Sequence, residues 1–175
     1  MRAVIYTSNT GSTARYAELL GRELNLPVYS ADTAKKIVPA QTEVIYLGWI
    51  MAGGIKGYAD IAKKYRVLAV CGVGMGQTGT QVKEIREKSR IPQNLMLFTL
   101  QGNFNVKKLH GIYRFMMGIM VKTAGKALAK KSGRTPEEED MLDMMMNGGE
   151  RVRPENLKAV IEWYADAYGI QASKQ

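Results

Sequence analysis

Directly behind a short apolar run, Ala3-Val4-Ile5-Tyr6, stands the string Thr7-Ser8-Asn9-Thr10-Gly11-Ser12-Thr13, and behind that a stretch patterned as a helix. A hydroxyl- and amide-rich loop between a strand and a helix gathers free backbone N–H groups, side-chain donors and the positive end of a helix dipole at one point. That is a site for an anion. The loop has no Lys or Arg, so it is not the phosphate loop whose lysine reaches the outer phosphates of a nucleoside triphosphate. It also lacks the three-glycine spacing that lets a dinucleotide pyrophosphate approach the backbone. A neutral cradle of this kind suits one terminal phosphate ester, with Ser8, Asn9, Thr10, Gly11, Ser12 and Thr13 as its candidate residues. The alternative is an ordinary turn in which Ser8, Asn9 or Ser12 only caps the helix, although seven small or polar residues in succession exceed what capping requires.

Elements able to position such a cradle are legible along the rest of the chain. Apolar strand-like runs alternate with helix-patterned stretches, the mark of a parallel sheet covered on both faces. Strands are predicted near residues 2–6, after Pro27, over 44–48, over 67–71 and over 95–100. The helix behind the cradle carries Tyr16, Ala17, Leu20 and Leu24 on one face. Another is predicted to start at Thr135, with Pro136 and Glu138 in capping positions, and to break at Gly148-Gly149; a last helix runs from near Pro154 to Gly169. The expected fold is an α/β, doubly wound, five-stranded parallel sheet in the order 2-1-3-4-5, a single domain over 1–175 with a helical insertion over 105–150. In that order ligands lie beyond the carboxyl ends of the strands, where the winding reverses.

The loops after strands one, three and four therefore converge. Trp49-Ile50-Met51-Ala52-Gly53 follows the third strand, and Gly72-Val73-Gly74-Met75-Gly76 the fourth. Glycine admits close backbone approach to a flat ring, and an indole offers a face for stacking. Trp49 is thus a stacking candidate, against the alternative of a core tryptophan at a strand end. Residues 74–79 also match G-x-G-x-x-G, but no Asp or Glu occurs between Glu87 and Glu137 to hold a ribose, so this segment is read as a second pocket wall rather than a dinucleotide site.

Composition narrows the function classes. The chain of 175 residues is 46% hydrophobic, enough for a core without disulfides or metal. One cysteine, Cys71, excludes an internal disulfide and is expected to be a packing residue; one histidine, His110, leaves a Ser/His/Asp triad or histidine metal centre without material and reads as a surface residue. No metal site is expected. The formal net charge is +9, much of it between Val106 and Lys131, where Lys107, Lys108, Arg114, Lys122, Lys126, Lys130 and Lys131 occur with no acidic residue. Over residues 106–131 apolar positions Leu109, Ile112, Tyr113, Met116, Met120 and Ala124 fall at helical spacing, widened by Phe115, Met117, Ile119 and Val121. Such a helix lies on an anionic membrane face or docks a partner, or else simply covers the sheet with solvated lysines outside. Nucleic acid is not expected as a partner, for no helix-turn-helix or zinc-finger pattern is present. The opening residues lack a secretory h-region, so a cytoplasmic location is expected, with peripheral attachment at the inner membrane face as an extension of it.

The string Thr7–Thr13 resembles the FMN-phosphate loop of the flavodoxins. Gln101-Gly102-Asn103-Phe104, followed by Lys-Lys-Leu-His-Gly-Ile-Tyr-Arg-Phe-Met-Met-Gly-Ile-Met-Val-Lys, is similar to the flavodoxin-domain family that includes menaquinone-dependent protoporphyrinogen oxidase. The resemblance implies FMN as cofactor, its ring held between the loops after strands three and four, and an oxidoreductase moving electrons through the flavin from a porphyrinogen-like or other reduced substrate to a quinone. A second reading is a non-enzymatic electron shuttle docking a redox partner protein through the basic helix; a third is a NAD(P)H-dependent dehydrogenase. In each the chemistry resides on the flavin and no side chain need act as a nucleophile. Unlike the acidic flavodoxins, neither pocket loop carries Asp or Glu, which by Coulombic reasoning leaves the two-electron reduced ring less destabilised than in those carriers.

Overall fold

The structure is a computed structural model that describes residues 2–103 and 111–169. Five parallel strands form the sheet: β1 (Arg2–Thr7), β2 (Val28–Ser30), β3 (Glu43–Met51), β5 (Arg66–Gly74) and β6 (Met96–Gln101), in the spatial order β2-β1-β3-β5-β6. This is the strand order expected from the sequence. A two-residue strand, β4 (Gly54–Ile55), adds a sixth member that pairs antiparallel with the end of β3, so the sheet is mostly rather than wholly parallel.

Successive residues of a strand face opposite sides of the sheet, and here both sides are buried. On one side Val4, Ile45, Leu47, Ala69 and Cys71 pack with Tyr16, Ala17 and Leu20 of α1 (Ser12–Leu24) and Val160 and Tyr164 of α7 (Lys158–Tyr168), the latter entered through a 3-10 turn at Pro154–Leu157. On the other, Ala3, Ile5, Val44, Tyr46 and Val70 meet Ala34 of α2 (Ala31–Ile37), Ile61 of α3 (Tyr58–Lys64) and Ile85 of α4 (Val82–Ser89). The predicted helix face Tyr16, Ala17, Leu20 and Leu24 is wholly on the core side.

Strands β3 and β5 run three residues past the ends expected from composition. Gly48, Gly72 and Gly74 depress strand propensity, yet each has ladder partners: Gly48 faces Thr7 and Gly72, Gly72 faces Thr99, and Gly74 faces Gln101. What demands glycine is the returning hairpin. Ala52 and Gly53 both have positive φ, 49° and 77°, and turn the chain back so that Ile50 and Ile55 fold over the sheet. A Cβ on Gly48 would stand 2.5 Å from Ile55 Cγ2, and one on Gly72 about 3.0 to 3.2 Å from Ile55 and Ile50 side-chain carbons. Glycine inside a strand marks such a close approach.

Between β6 and α7 lie α5 (Gly111–Lys130) and α6 (Pro136–Asn147). The start of α6 is a complete capping box: Glu138 N donates to Thr135 Oγ1, and Thr135 N donates to the Glu138 carboxylate. No helix among the described residues is long and apolar enough to cross a membrane.

Candidate functional site

A cleft of about 290 Å³ opens at the carboxyl ends of β1, β3, β5 and β6. Asn9, Thr10, Ser12 and Thr13 line it from the first loop; Trp49, Ile50, Met51, Ala52 and Gly53 from the β3–β4 hairpin; Val73, Gly74, Met75 and Gly76 from the end of β5. Three segments far apart in sequence thus meet at one place, as the winding of the sheet requires.

The start of α1 forms one end of the cleft. Its N-cap is Gly11, with φ +100°, and no side chain caps the helix. The first-turn amides of a helix have no intrahelical acceptor, so they remain donors directed at whatever sits above them, and the helix dipole adds a positive potential there. Asn9 Nδ2 is buried without a hydrogen-bond partner. A buried amide left unpaired costs about 1–3 kcal/mol; an acceptor brought by a ligand removes that cost. Ser12 and Thr13 are buried as well, and Ser12 Oγ accepts from Asn103 N at 3.1 Å, which ties the cradle to the chain leaving β6.

Trp49 is half-buried and belongs to the cleft wall, outside both core clusters. The expected second wall also takes shape: Gly79 N donates to Thr99 O, Thr99 Oγ1 to Thr80 O, and Gln101 N to Thr78 Oγ1, so the glycine-rich loop is laced down onto β6. Among the described residues, none of the side chains lining the cleft is charged.

Three of the sequence candidates sit elsewhere. Gly72 lies buried beneath Ile50 and Ile55, because its missing side chain makes room for the hairpin rather than for a ligand. Ser8 turns to the neighbouring depression beside Thr7, Ser30, Asp32 and Asp60, and its Oγ accepts from Gly11 N at 3.2 Å, closing the turn. Gly11 does not line the cleft; it supplies the left-handed backbone that swings the loop into α1. Cys71 is fully buried in the core, and desolvation pushes its thiol up to about 12, so it is a packing residue. His110 and Phe104 lie outside the described residues.

Sequence reasoning missed the other contributors. Thr80 and Gln81 come from the loop before α4, beyond the 74–79 wall to which Gln77 belongs, and Thr99, Leu100, Gly102 and Asn103 from the exit of β6. Most informative are Met120 of α5 and Met141 of α6, which bring the inserted hairpin onto the cleft. Met120 was visible only as one member of an apolar stripe. Beside Met141, Asp140 accepts from Gln101 Nε2 and from Arg151, whose Nη2 lies 3.2 Å from Asp140 and 3.0 Å from Asp143. Asn103 Oδ1 in turn accepts from the backbone N–H groups of Arg151 and Val152. This network pins α6 to the end of β6 and so holds Met141 in place.

No family model, curated protein or solved structure matches the chain. What the cleft offers is read from its own chemistry: a neutral anion cradle at one end and a largely apolar slot with an indole at the other.

Proposed function

We propose that the chain is a flavodoxin-like, FMN-binding oxidoreductase, a reading carried by the conjunction of an uncapped α1, a buried unpartnered Asn9 amide and an uncharged cleft beside Trp49. The donor set fits a phosphate ester: backbone amides at a helix start, the Asn9 amide and the Thr10 and Thr13 hydroxyls, with no lysine to demand a more highly charged group. Trp49, Met51 and Met75 fit the flat tricyclic head, for indole and thioether side chains both pack well against aromatic rings. Bound FMN supplies reversible electron and hydride transfer at its ring.

The chain's own contribution is positional and electrostatic. The cradle takes the phosphate and thereby fixes where the head lies; Ile50, Val73 and Leu100 exclude water from the inner side. Among the described residues no carboxylate lines the cleft, so negative charge on a bound ring would meet no repelling charge there. Met120 and Met141 give the cleft an apolar surface that suits reactants with a large apolar face, such as a porphyrinogen-like macrocycle and a quinone.

Purified protein is expected to be yellow, and denaturation to release a flavin whose mass is that of FMN. Colourless protein that takes up no FMN at micromolar concentration overturns the reading. Steady turnover of a quinone with a small-molecule reductant marks an enzyme, whereas reduction only through a reductase protein marks a shuttle.

A further inference from the structure

The inserted helix α5 has two apolar sides. Met120 faces the cleft, and Gly125 is buried against Met145 of α6. Phe115 and Ile119 nevertheless stand in solvent, 69% and 47% exposed, although burying large apolar side chains is what an ordinary covering helix does. Phe115, Ile119, Lys122 and Lys126 recur at intervals of four, three and four residues, with Lys130 four further on. That spacing stacks all five on one face. Lys122, Lys126 and Lys130 are exposed and make no ion pair among the described residues, whereas Lys131 is drawn off to Glu138. One helix face thus presents two large apolar groups followed by three unengaged ammonium groups, spread over about 22 Å at 1.5 Å per residue.

We propose that this face of α5 is a membrane-docking surface for an anionic bilayer, Phe115 and Ile119 entering the acyl boundary and Lys122, Lys126 and Lys130 lying on lipid phosphates. Charge complementarity selects this occupant. A net charge of +9 is attracted to an anionic leaflet as a whole, and lysines strung along a helix match charge smeared over a surface better than they match a discrete acidic pocket. The apolar pair adds what a purely electrostatic contact lacks. No described helix spans a bilayer, so attachment is peripheral and reversible. Glu137 and Glu139 open α6 near the Lys130 end, which leaves Lys122 and Lys126 as the principal cationic contacts.

The test is co-sedimentation of the full chain with phosphatidylcholine vesicles, with and without phosphatidylglycerol, at low and high salt. Wild-type protein is expected to pellet with the anionic vesicles only and to be released by salt. Lys122→Gln/Lys126→Gln should weaken binding roughly 30-fold, at about tenfold for each 1.4 kcal/mol and about 1 kcal/mol per lysine near such a surface. Phe115→Ser/Ile119→Ser should weaken it roughly tenfold or more while leaving the salt dependence intact. All four side chains are exposed, so circular dichroism of the variants should match wild type. Wild-type protein that stays in the supernatant, equal pelleting with neutral vesicles, or binding untouched by either double substitution each overturns the proposal. Loss of vesicle binding alongside retention of an acidic protein ligand assigns the face to protein docking instead and equally overturns it.

Discussion

Replacing Asn9 by alanine separates a ligand-binding amide from a structural one by the sign of its two effects. In the free protein Asn9 Nδ2 is buried and has no acceptor. Removing it therefore deletes an unsatisfied group, and unfolding free energy should stay level or rise by up to about 1 kcal/mol, since an unmade buried hydrogen bond costs about 1–3 kcal/mol. On the proposed reading the same amide would donate to an FMN phosphate oxygen, and a hydrogen bond to a charged group is worth about 1.5–3 kcal/mol. Asn9→Ala should accordingly weaken FMN binding by about 10- to 150-fold, at about 1.4 kcal/mol per tenfold. Riboflavin shares the ring and ribityl chain but has no phosphate, so its affinity should be unchanged. Titration of apoprotein followed by flavin fluorescence gives both dissociation constants, and urea unfolding gives the stability. Equal losses for FMN and riboflavin would show that Asn9 shapes the cleft rather than holding phosphate; a large drop in apoprotein stability would refute the reasoning outright.

Tyr16→Phe should cost about 2–4 kcal/mol in urea unfolding, because the buried hydroxyl donates to Gln101 O and accepts from Asn156 Nδ2, both at 2.6 Å, and accepts from Arg153 N at 3.4 Å, and all three groups would lose this partner; a loss under 1 kcal/mol would mean that water or rearrangement satisfies them. Gly48→Ala should destabilise by about 1–3 kcal/mol through overpacking, its Cβ meeting Ile55 Cγ2 at 2.5 Å and the Lys56 carbonyl at 2.6 Å, and should weaken FMN binding by shifting the β3–β4 hairpin; thermal unfolding and flavin titration check both. Burial raises the Cys71 thiol and the Tyr46 hydroxyl to about 12 each. Their folded values exceed those of the unfolded chain, so the stability they contribute is fully present below about pH 9 and lost as pH climbs toward 12. The melting temperature should fall steadily over that window, and Cys71→Ala should flatten its early part; a flat profile in wild type would contradict the burial argument.

Features set by neighbours in sequence were legible from the chain alone. The apolar period of α1, the capping box at Thr135, and a hydroxyl-rich turn between an apolar run and a helix each depend on residues within one or two turns, and all three stand where expected. Alternation of apolar runs with helical stretches likewise carried the strand order, because doubly wound sheets admit few topologies. Glycine was read less well. Gly72 and Gly74 suggested a loop, but a glycine states only that something comes close; that the something is Ile50 and Ile55 of a returning hairpin is a contact between segments that only the folded sheet brings together. Met120 and Met141 were equally beyond reach. A methionine at helical spacing has the same signature whether it fills a core or edges a cleft, and the choice was made by the Gln101, Asp140 and Arg151 network that sets α6 over β6. Sequence determined the local chemistry and the order of the layers, since short-range sterics and periodicity govern both; tertiary structure decided which groups share a space, because that follows from packing between residues dozens of positions apart.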